Sequence, residues 1–404
     1  MDPLEALANG VYKLVARVAG GLLGRWKIVE SVYVHRSVAV GEVSFGRSDI
    51  DLLIVVRSPE TESADGAELA SLYRGVSVLS RLGPVLGHVQ MHDSRGLGRW
   101  MRTDTYRGSL DRRSSVLLSG KPATMPCVPV RREDAVRWFA WYPAHFFSTA
   151  VRERNRRNLR KIATEMWNAY AVAQGRISEP DLTRKEAEAR ALSDQAGAGL
   201  ADVALDPGRA PDFVFALAKL LHDALLPPLE PLRKPMVFPA LSPPRFPERV
   251  YVIVPQAGFP APAEAFAPFS FFCTPELLHL YSHYVNPFTA WYWPPELRRL
   301  GFVQPAPREY VRACLFFLED NMLRFPGFAH KDTWTVGTAV ALSRHCVSYL
   351  EKGEIPPPMP AEAVLPLMEH APACSDFYRH EFGKVYWQAA EQRRMLEELE
   401  KRFP

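Results

Sequence analysis

The chain has 404 residues, 47% of them hydrophobic and 23% charged, with a formal net charge of +4. This length predicts two or three domains, and the composition excludes a disordered chain. The small net charge excludes a polycation that coats nucleic acid. Five dispersed cysteines without a CxxC pair argue against a disulfide framework or a zinc ribbon, so we expect a reducing, cytoplasmic setting. The sequence contains no run of about 18 apolar residues, so we expect no membrane-spanning segment.

Residues 1–125 are predicted to form one small layered domain. The periodicity predicts the following elements in chain order: helix 3–25, strand 28–36, strand 49–56, helix 66–82, strand 83–93 and the short segment 114–121. A polar loop over 37–48 separates the first two strands. Residues 49–56 are almost continuously apolar, which is typical of a central strand covered on both faces. This order of elements predicts a small α/β or α+β layer.

The rest of the chain is predicted to be mostly helical. Residues 131–226 have helical spacing, most clearly over 146–175, where Gly175 ends the pattern. Residues 221–310 hold 18 of the 36 prolines and contain a strand-like run at 249–255. We therefore predict a helical domain over 126–230 and a proline-rich, mostly helical C-terminal region over 231–404.

Asp49 and Asp51 lie two positions apart at the mouth of this apolar strand. Side chains with this spacing point to the same side of a sheet. Two neighbouring carboxylates repel each other, and a divalent cation that binds both removes the repulsion. Ser37 and Gly41 in the preceding loop could hold a triphosphate through a hydroxyl and backbone N–H groups. An Asp-x-Asp pair is short, and turn or cap residues remain an alternative.

The stretch RSVAVGEVSFGRSDIDLLIVV (36–56) resembles the nucleotidyltransferases of the DNA polymerase-beta superfamily. Ser37 matches the motif serine, Gly41 the later glycine, and Ser48, Asp49 and Asp51 the Ser-Asp-x-Asp that opens the second strand. The segment SSVLLSGKP (114–122) resembles the strand that closes the core of small bacterial members. The likeness covers the first third of the chain, extends loosely over the second, and says nothing specific about 240–404.

This resemblance implies an α+β fold with a small mixed-sheet nucleotidyltransferase core, followed by mostly helical domains. It implies transfer of a nucleoside monophosphate from an NTP to an acceptor hydroxyl, with Mg²⁺ or Mn²⁺ bound by Asp49 and Asp51. Ser37, Gly41 and Ser48 would contact the triphosphate. Asp93 is the candidate third catalytic carboxylate, and Lys161, with Arg157, is the candidate helical phosphate contact. The acceptor, whether small molecule, protein or RNA, is not named by the sequence, nor are the base preference and oligomeric state.

Two departures from the family pattern keep a second interpretation open. Arg36 stands where the family has a glycine before the motif serine. The third strand carries His88 and Gln90 at its same-face positions, and its one acid, Asp93, lies at the strand's end. The alternative is a catalytically degenerate nucleotide-sensing or partner-binding protein with the same fold. A metal-dependent glycosyltransferase is a further rival, disfavoured because only one strand precedes the Asp-x-Asp.

Two other groups of residues can be explained by a structural role that involves no ligand. The basic run 151–161, which includes Lys161, is equally compatible with a solvated helix face. Glu276, His279 and His283 could lie on one helical face with zinc-like spacing, but no HExxH order is present. A packing role is favoured for these three.

Overall fold

The computed structural model groups the chain into two compact units, which we describe separately. Unit 1 comprises Met1–Pro129, Leu318–Ala341 and Ala371–Met395, and unit 2 comprises Val130–Phe317, Leu342–His370 and Leu396–Pro404. The structure describes residues 3–46, 48–58, 62–82, 85–152, 156–193, 221–223, 229–230, 232–233, 236–240, 249–253, 269–273, 275–285, 287, 300–301, 305–322, 336–357 and 382–403. Within those ranges, no helix has the length and apolar character needed to cross a membrane.

Unit 1 contains a mixed four-stranded sheet. Its strands are β1 (Val29–His35), β2 (Ile50–Val56), β3 (Leu86–Asp93) and β4 (Val116–Gly120), in the spatial order β3-β2-β1-β4. β1 pairs antiparallel with β2 and β4, whereas β2 and β3 are parallel. Every β2 residue except Asp51 is buried, because the strand lies between two others and is covered on both faces. The predicted α+β fold with a small mixed sheet is confirmed.

Five helices accompany this sheet in sequence. They are α1 (Pro3–Leu23), α2 (Ser37–Val40), α3 (Glu62–Leu82), α4 (Ser94–Thr103) and α5 (Thr105–Arg113). The 37–48 segment, predicted as a loop, therefore begins with the single helical turn of α2. α4 begins at Ser94 because the Asp93 carboxylate accepts hydrogen bonds from the N–H groups of Arg95 and Gly96, and Asp104 caps α5 in the same way.

Unit 2 holds most of the remaining elements. They are α6 (Arg132–Arg152), α7 (Arg156–Ala173), α8 (Arg184–Ser193), a sheet of β5 (Met236–Ala240), β6 (Arg249–Ile253) and β7 (Phe269–Cys273), and then α9 (Pro275–Tyr284), α10 (Pro307–Met322), α11 (Val336–Leu350) and α12 (Phe382–Arg402). The last three helices contribute residues to both units. β6 confirms the predicted strand near 249–255, but its sheet was not predicted.

The single helix predicted over 146–175 is wrong. The region divides between α6 and α7, with residues 153–155 outside the described part of the chain. Arg152 therefore lies on α6 and Arg156 on α7. The predicted end of the helical pattern at Gly175 agrees better with the structure. Gly175 lies just after α7 and has a φ of 69°.

Buried ion pairs join distant segments within unit 1. Arg107 on α5 lies 2.9 Å from Asp320 on α10, and Arg393 on α12 lies 3.2 Å from Glu319. The Glu319 side chain is fully buried and that of Arg393 is 4% exposed. The C-terminal helices thus supply charges to the same compact unit as the N-terminal sheet. Hydrophobic periodicity could not predict this, because it carries no information on pairing over hundreds of residues.

His92 on β3 makes the stability of unit 1 sensitive to acid. Burial, assisted by the charges of Arg393 and Arg107, lowers its pKa to about 3, although Asp111 and Asp93 act in the opposite direction. The unfolded chain takes up this proton near pH 6.5, and the folded chain does not until about pH 3. The free energy of unfolding must therefore fall as the pH drops through this interval, by about 1.4 kcal/mol per unit at most.

We predict that His92→Gln removes this contribution. Urea unfolding at pH 7.5 and pH 5 should show a loss of stability on acidification that is smaller in the variant by about 2 kcal/mol. His279 in unit 2 titrates in the same direction, so some acid sensitivity should persist. An unchanged difference between the two pH values would contradict the assignment to His92.

Candidate metal and nucleotide site

The carboxylate pair lies where the β2–β3 ladder is irregular. Ile50 pairs with Leu86 and Leu52 with Val89, so two β3 residues, Gly87 and His88, face the single residue Asp51. Such a bulge re-aims the backbone, and bulges are frequent beside active sites. Here the bulge directs the His88 N–H at the Asp51 carboxylate, and Asp51 Oδ1 accepts this hydrogen bond at 2.8 Å.

Gly87 brings the two carboxylates together. A Cβ atom at this position would collide with Asp49 Cβ and would lie 2.9 Å from Asp51 Oδ1, so both side chains converge on the space that the glycine leaves open. Asp49 is exposed and Asp51 is half-buried. The pair is thus held on one side of the strand's mouth, with one Asp51 oxygen fixed by the backbone.

The turn after β1 lies at the same end of the sheet. β1 ends at His35, which pairs directly with Asp51, and α2 follows and contacts both β1 and β2. Ser37 opens α2, and Gly41 ends it in a left-handed conformation with a φ of 79°. The Gly41 carbonyl accepts a hydrogen bond from Asn9 Nδ2 on α1 at 3.0 Å, which anchors the turn.

Arg36 adopts a backbone conformation that normally requires glycine. Its φ of 62° and ψ of −134° make it the one non-glycine residue with positive φ in the described part of the chain. A residue with a side chain pays a free-energy cost of about 1–3 kcal/mol in this backbone conformation. The Arg36 N–H donates to Ser114 Oγ at 3.3 Å, and its Nε lies 3.8 Å from Asp111.

Ser48 closes the loop that leads into β2. Its Oγ accepts a hydrogen bond from the Ser44 N–H at 2.9 Å, and its own N–H donates to the Ser44 carbonyl at 3.0 Å. Between them Gly46 has a φ of 67°, as a tight turn requires. Ser48 thus fixes the approach to Asp49, and its contact with a triphosphate stays a prediction.

A buried histidine–aspartate pair flanks the site, which sequence reasoning missed. His35 lies opposite Asp51 in an antiparallel pair, so the two side chains emerge on one face. His35 Nδ1 lies 3.3 Å from Asp111 Oδ1. Burial raises the pKa of Asp111, but the hydrogen bond and charge of His35, followed by the charges of Arg36 and Arg107, outweigh it and hold the pKa well below its usual value. The strand alternation could have indicated His35, whereas nothing in the sequence linked Asp111 to this site.

Asp93 is not brought to the carboxylate pair. β3 is parallel to β2, and Asp93 pairs with Val56 at the far end of the strand, roughly 16 Å along from Asp51. There its carboxylate caps α4. The candidate third carboxylate is therefore better described as a helix cap. The β3 positions opposite Asp51 carry Gly87 and His88, and Gln90 pairs with Leu53 further along the strand.

Lys161 lies on α7 in unit 2, and its predicted phosphate contact stays untested. Its side chain is exposed, with Nζ 5.9 Å from the centre of the Tyr142 ring. This arrangement is a weak cation–π contact between two residues of the same unit.

No family model and no curated protein matches this chain. Function has to be inferred from the residues of the site. Those that the structure brings to one end of the sheet are Ser37, Gly41, Ser48, Asp49 and Asp51, with His35 and Asp111 beside them.

The histidines predicted on α9 pack against one another. The His279 ring centre lies 5.8 Å from those of His222 and His283, and burial, with the charges of these two neighbours, lowers the pKa of His279 to about 3. His283 Nε2 lies 3.0 Å from Glu309 Oε2. Among the residues that the structure describes, no group of three or more His, Cys, Asp or Glu side chains is arranged to hold a metal ion. The ring contacts of His279 and the contact of His283 with Glu309 are those of packed side chains.

Gly87 offers a sharp test of the carboxylate geometry. Gly87→Ala introduces a methyl group where Asp49 and Asp51 converge, so we expect the pair to be displaced and the metal-dependent nucleotide transfer that the resemblance implies to fall by about 100-fold. The matched control is Gly98→Ala on α4, where the nearest atom to the new Cβ is 3.7 Å away. Transfer rates at saturating NTP should separate the two variants, and equal rates would show that the pair is not positioned by Gly87.

Proposed function

We propose that this protein is a nucleotidyltransferase that moves a nucleoside monophosphate from an NTP to an acceptor hydroxyl, with pyrophosphate leaving. The observation that carries the proposal is the convergence of Asp49 and Asp51 on the Gly87 position at the mouth of β2. The motif spacing over 36–56 supports the same conclusion, and so do the two turns that precede the pair.

The carboxylate pair fits a divalent cation accompanied by a triphosphate. Mg²⁺ is usually held by one or two carboxylates together with substrate phosphates, so a site with three protein ligands is not required. The hydrogen bond from the His88 N–H fixes one oxygen of Asp51. Asp49 and the remaining Asp51 oxygen would bind the ion. When bound, Mg²⁺ would neutralise the pair and the charge that develops on the transferring phosphoryl group.

The remaining residues have positioning roles in this proposal. Ser37 and Gly41, on the turn that Asn9 anchors, would contact the phosphates through the hydroxyl and the backbone. Ser48 would hold the loop that leads to Asp49. Asp111 would fix His35 against the strand that carries Asp51, which limits the motion of the pair. Catalysis would therefore depend mainly on orientation and charge neutralisation.

One observation favours the non-catalytic alternative. The family's third carboxylate would lie on the next strand, but the same-face positions of β3 carry His88 and Gln90, and Asp93 caps α4. A nucleotide-sensing protein would keep the metal and phosphate contacts without efficient transfer. The two functions share the ligand and differ in whether pyrophosphate is released.

Pyrophosphate release tests the proposal. The full chain is incubated with each of the four common NTPs, Mg²⁺ or Mn²⁺, and separate fractions of small molecules, RNA and protein as acceptors. We expect metal-dependent release with at least one combination, and its loss in Asp51→Asn. Calorimetric binding of an NTP without release from any combination would favour the sensor, and absence of binding to every NTP would contradict both functions.

A further inference from the structure

α1 has two apolar faces, and only one of them is buried. Ala8, Tyr12, Ala16, Ala19 and Leu23 are buried within unit 1. The other face carries six large aliphatic side chains that remain exposed to solvent: Leu4 (72%), Leu7 (64%), Val11 (41%), Leu14 (63%), Val18 (57%) and Leu22 (36%). We call these six the α1 stripe. Single exposed leucines are ordinary, but an aligned row of this size indicates an interaction site.

Five of the six residues of the α1 stripe have the spacing of a two-stranded coiled coil, and the sixth, Leu22, lies at a flanking position. With Leu4 at position a of a heptad, Val11 and Val18 also occupy a, whereas Leu7 and Leu14 occupy d. β-Branched residues at a with leucine at d favour parallel pairs of helices. The stripe is shorter than an independent coiled coil needs, but α1 is already folded against unit 1 and requires no partner to become helical.

The flanking positions are compatible with a second copy of the same helix. Positions e and g flank the seam of a parallel pair: Val15 and Leu22 lie at e, and Gly10 and Arg17 lie at g, whereas Ala8 at e is buried within unit 1. Arg17 is the one charge among them, so a parallel pair brings no like charges together at these positions. Gly10 has nothing within 4 Å of its missing side chain, which leaves room for close approach.

The exposed area is sufficient for a dimer. Burying the α1 stripe on two copies would remove roughly 1,000–1,200 Å² from solvent, which reaches the lower limit for a specific interface. A two-fold axis pairs one patch with itself, so the stripe needs no complementary surface elsewhere on the molecule. We propose that the chain forms a parallel homodimer through the α1 stripe. This proposal is independent of the nucleotidyltransferase function.

Sedimentation of the full chain tests the dimer. The wild type should sediment as a species of twice the 45.5 kDa chain mass. Leu14→Glu should reduce the mass to 45.5 kDa, since it places two carboxylates at the centre of the seam. Leu82→Glu is the matched control, because Leu82 is 78% exposed on α3, outside the stripe, and this variant should remain dimeric. A monomeric wild type, or a Leu14→Glu variant that stays dimeric, would overturn the proposal.

Two further measurements keep the test decisive. If circular dichroism shows that Leu14→Glu is unfolded, Val11→Cys in a Cys127→Ser background tests the dimer instead. A parallel pair of α1 helices places the two new cysteines opposite each other. Mild oxidation should yield a covalent dimer, and its absence would overturn the proposal. A lipid surface is the other partner that such a helix could bind, and flotation with anionic vesicles tests for it. A monomer that binds the vesicles would show that the α1 stripe is a membrane-surface element instead.

Discussion

Arg393→Met is expected to destabilise unit 1 by about 3–5 kcal/mol, because removing one member of a buried ion pair leaves an uncompensated charge. The Glu319 side chain is fully buried, and Arg393 Nη1 lies 3.2 Å from its carboxylate. Arg393 Nη2 also lies 4.0 Å from Asp93, so the variant weakens a second interaction. Urea unfolding of the full chain measures the change, and hydrogen exchange over β3 and α4 shows whether unit 1 is the part affected.

Two controls separate charge burial from a general effect on α12. Lys401→Met removes a cation from the same helix, but Lys401 and its partner Glu398 are 70% and 59% exposed, so no measurable change is expected. The double variant Arg393→Met with Glu319→Leu should recover most of the lost stability, since it removes both charges from the interior. An Arg393→Met variant as stable as the wild type would show that the buried pair does not stabilise unit 1.

Asp49→Asn combined with Asp51→Asn is expected to lower metal-dependent nucleotide transfer by at least about 100-fold, since the charges that attract the cation are lost. Asparagine keeps an oxygen that can accept the His88 N–H, so the bulge and the fold should persist. Removing two neighbouring negative charges also relieves repulsion, and the double variant should unfold at the same urea concentration as the wild type or higher.

The matched control for the double variant is Glu30→Gln. Glu30 is an exposed carboxylate on β1 of the same sheet, at the opposite end from the pair. Its loss lowers the negative charge of unit 1 without touching the site, so transfer should be unchanged. Equal, measurable transfer by the wild type and the double variant would show that the reaction occurs at another site. Absence of transfer in both proteins would exclude the reaction.

The sequence predicted the parts of the fold that depend on local pattern. The apolar run after Asp51 indicated a central strand, and β2 is buried as expected. The strand near 114–121 was also anticipated and closes the sheet against β1. At the site, Asp51 lies in β2 whereas Asp49 immediately precedes the strand, so the pleat alone does not fix the direction of the Asp49 side chain.

What the sequence did not predict depends on long-range contacts. The bulge at Gly87 is a property of the pairing between β2 and β3, so the hydrogen bond from the His88 N–H has no local signature. Asp111 reaches His35 across 76 positions of the chain, and Arg393 reaches Glu319 across 74. Asp93 was considered as a third carboxylate because it ends the next strand, and only the parallel register shows that this end is the far one.

Titration with Mn²⁺, followed by electron paramagnetic resonance in the presence of a non-hydrolysable NTP analogue, tests the carboxylate pair most directly, because it requires neither the acceptor nor turnover. We predict that the wild type binds Mn²⁺ together with the analogue and that the Asp49→Asn, Asp51→Asn double variant does not. Mn²⁺ binding of equal affinity in the two proteins would contradict the account of this site.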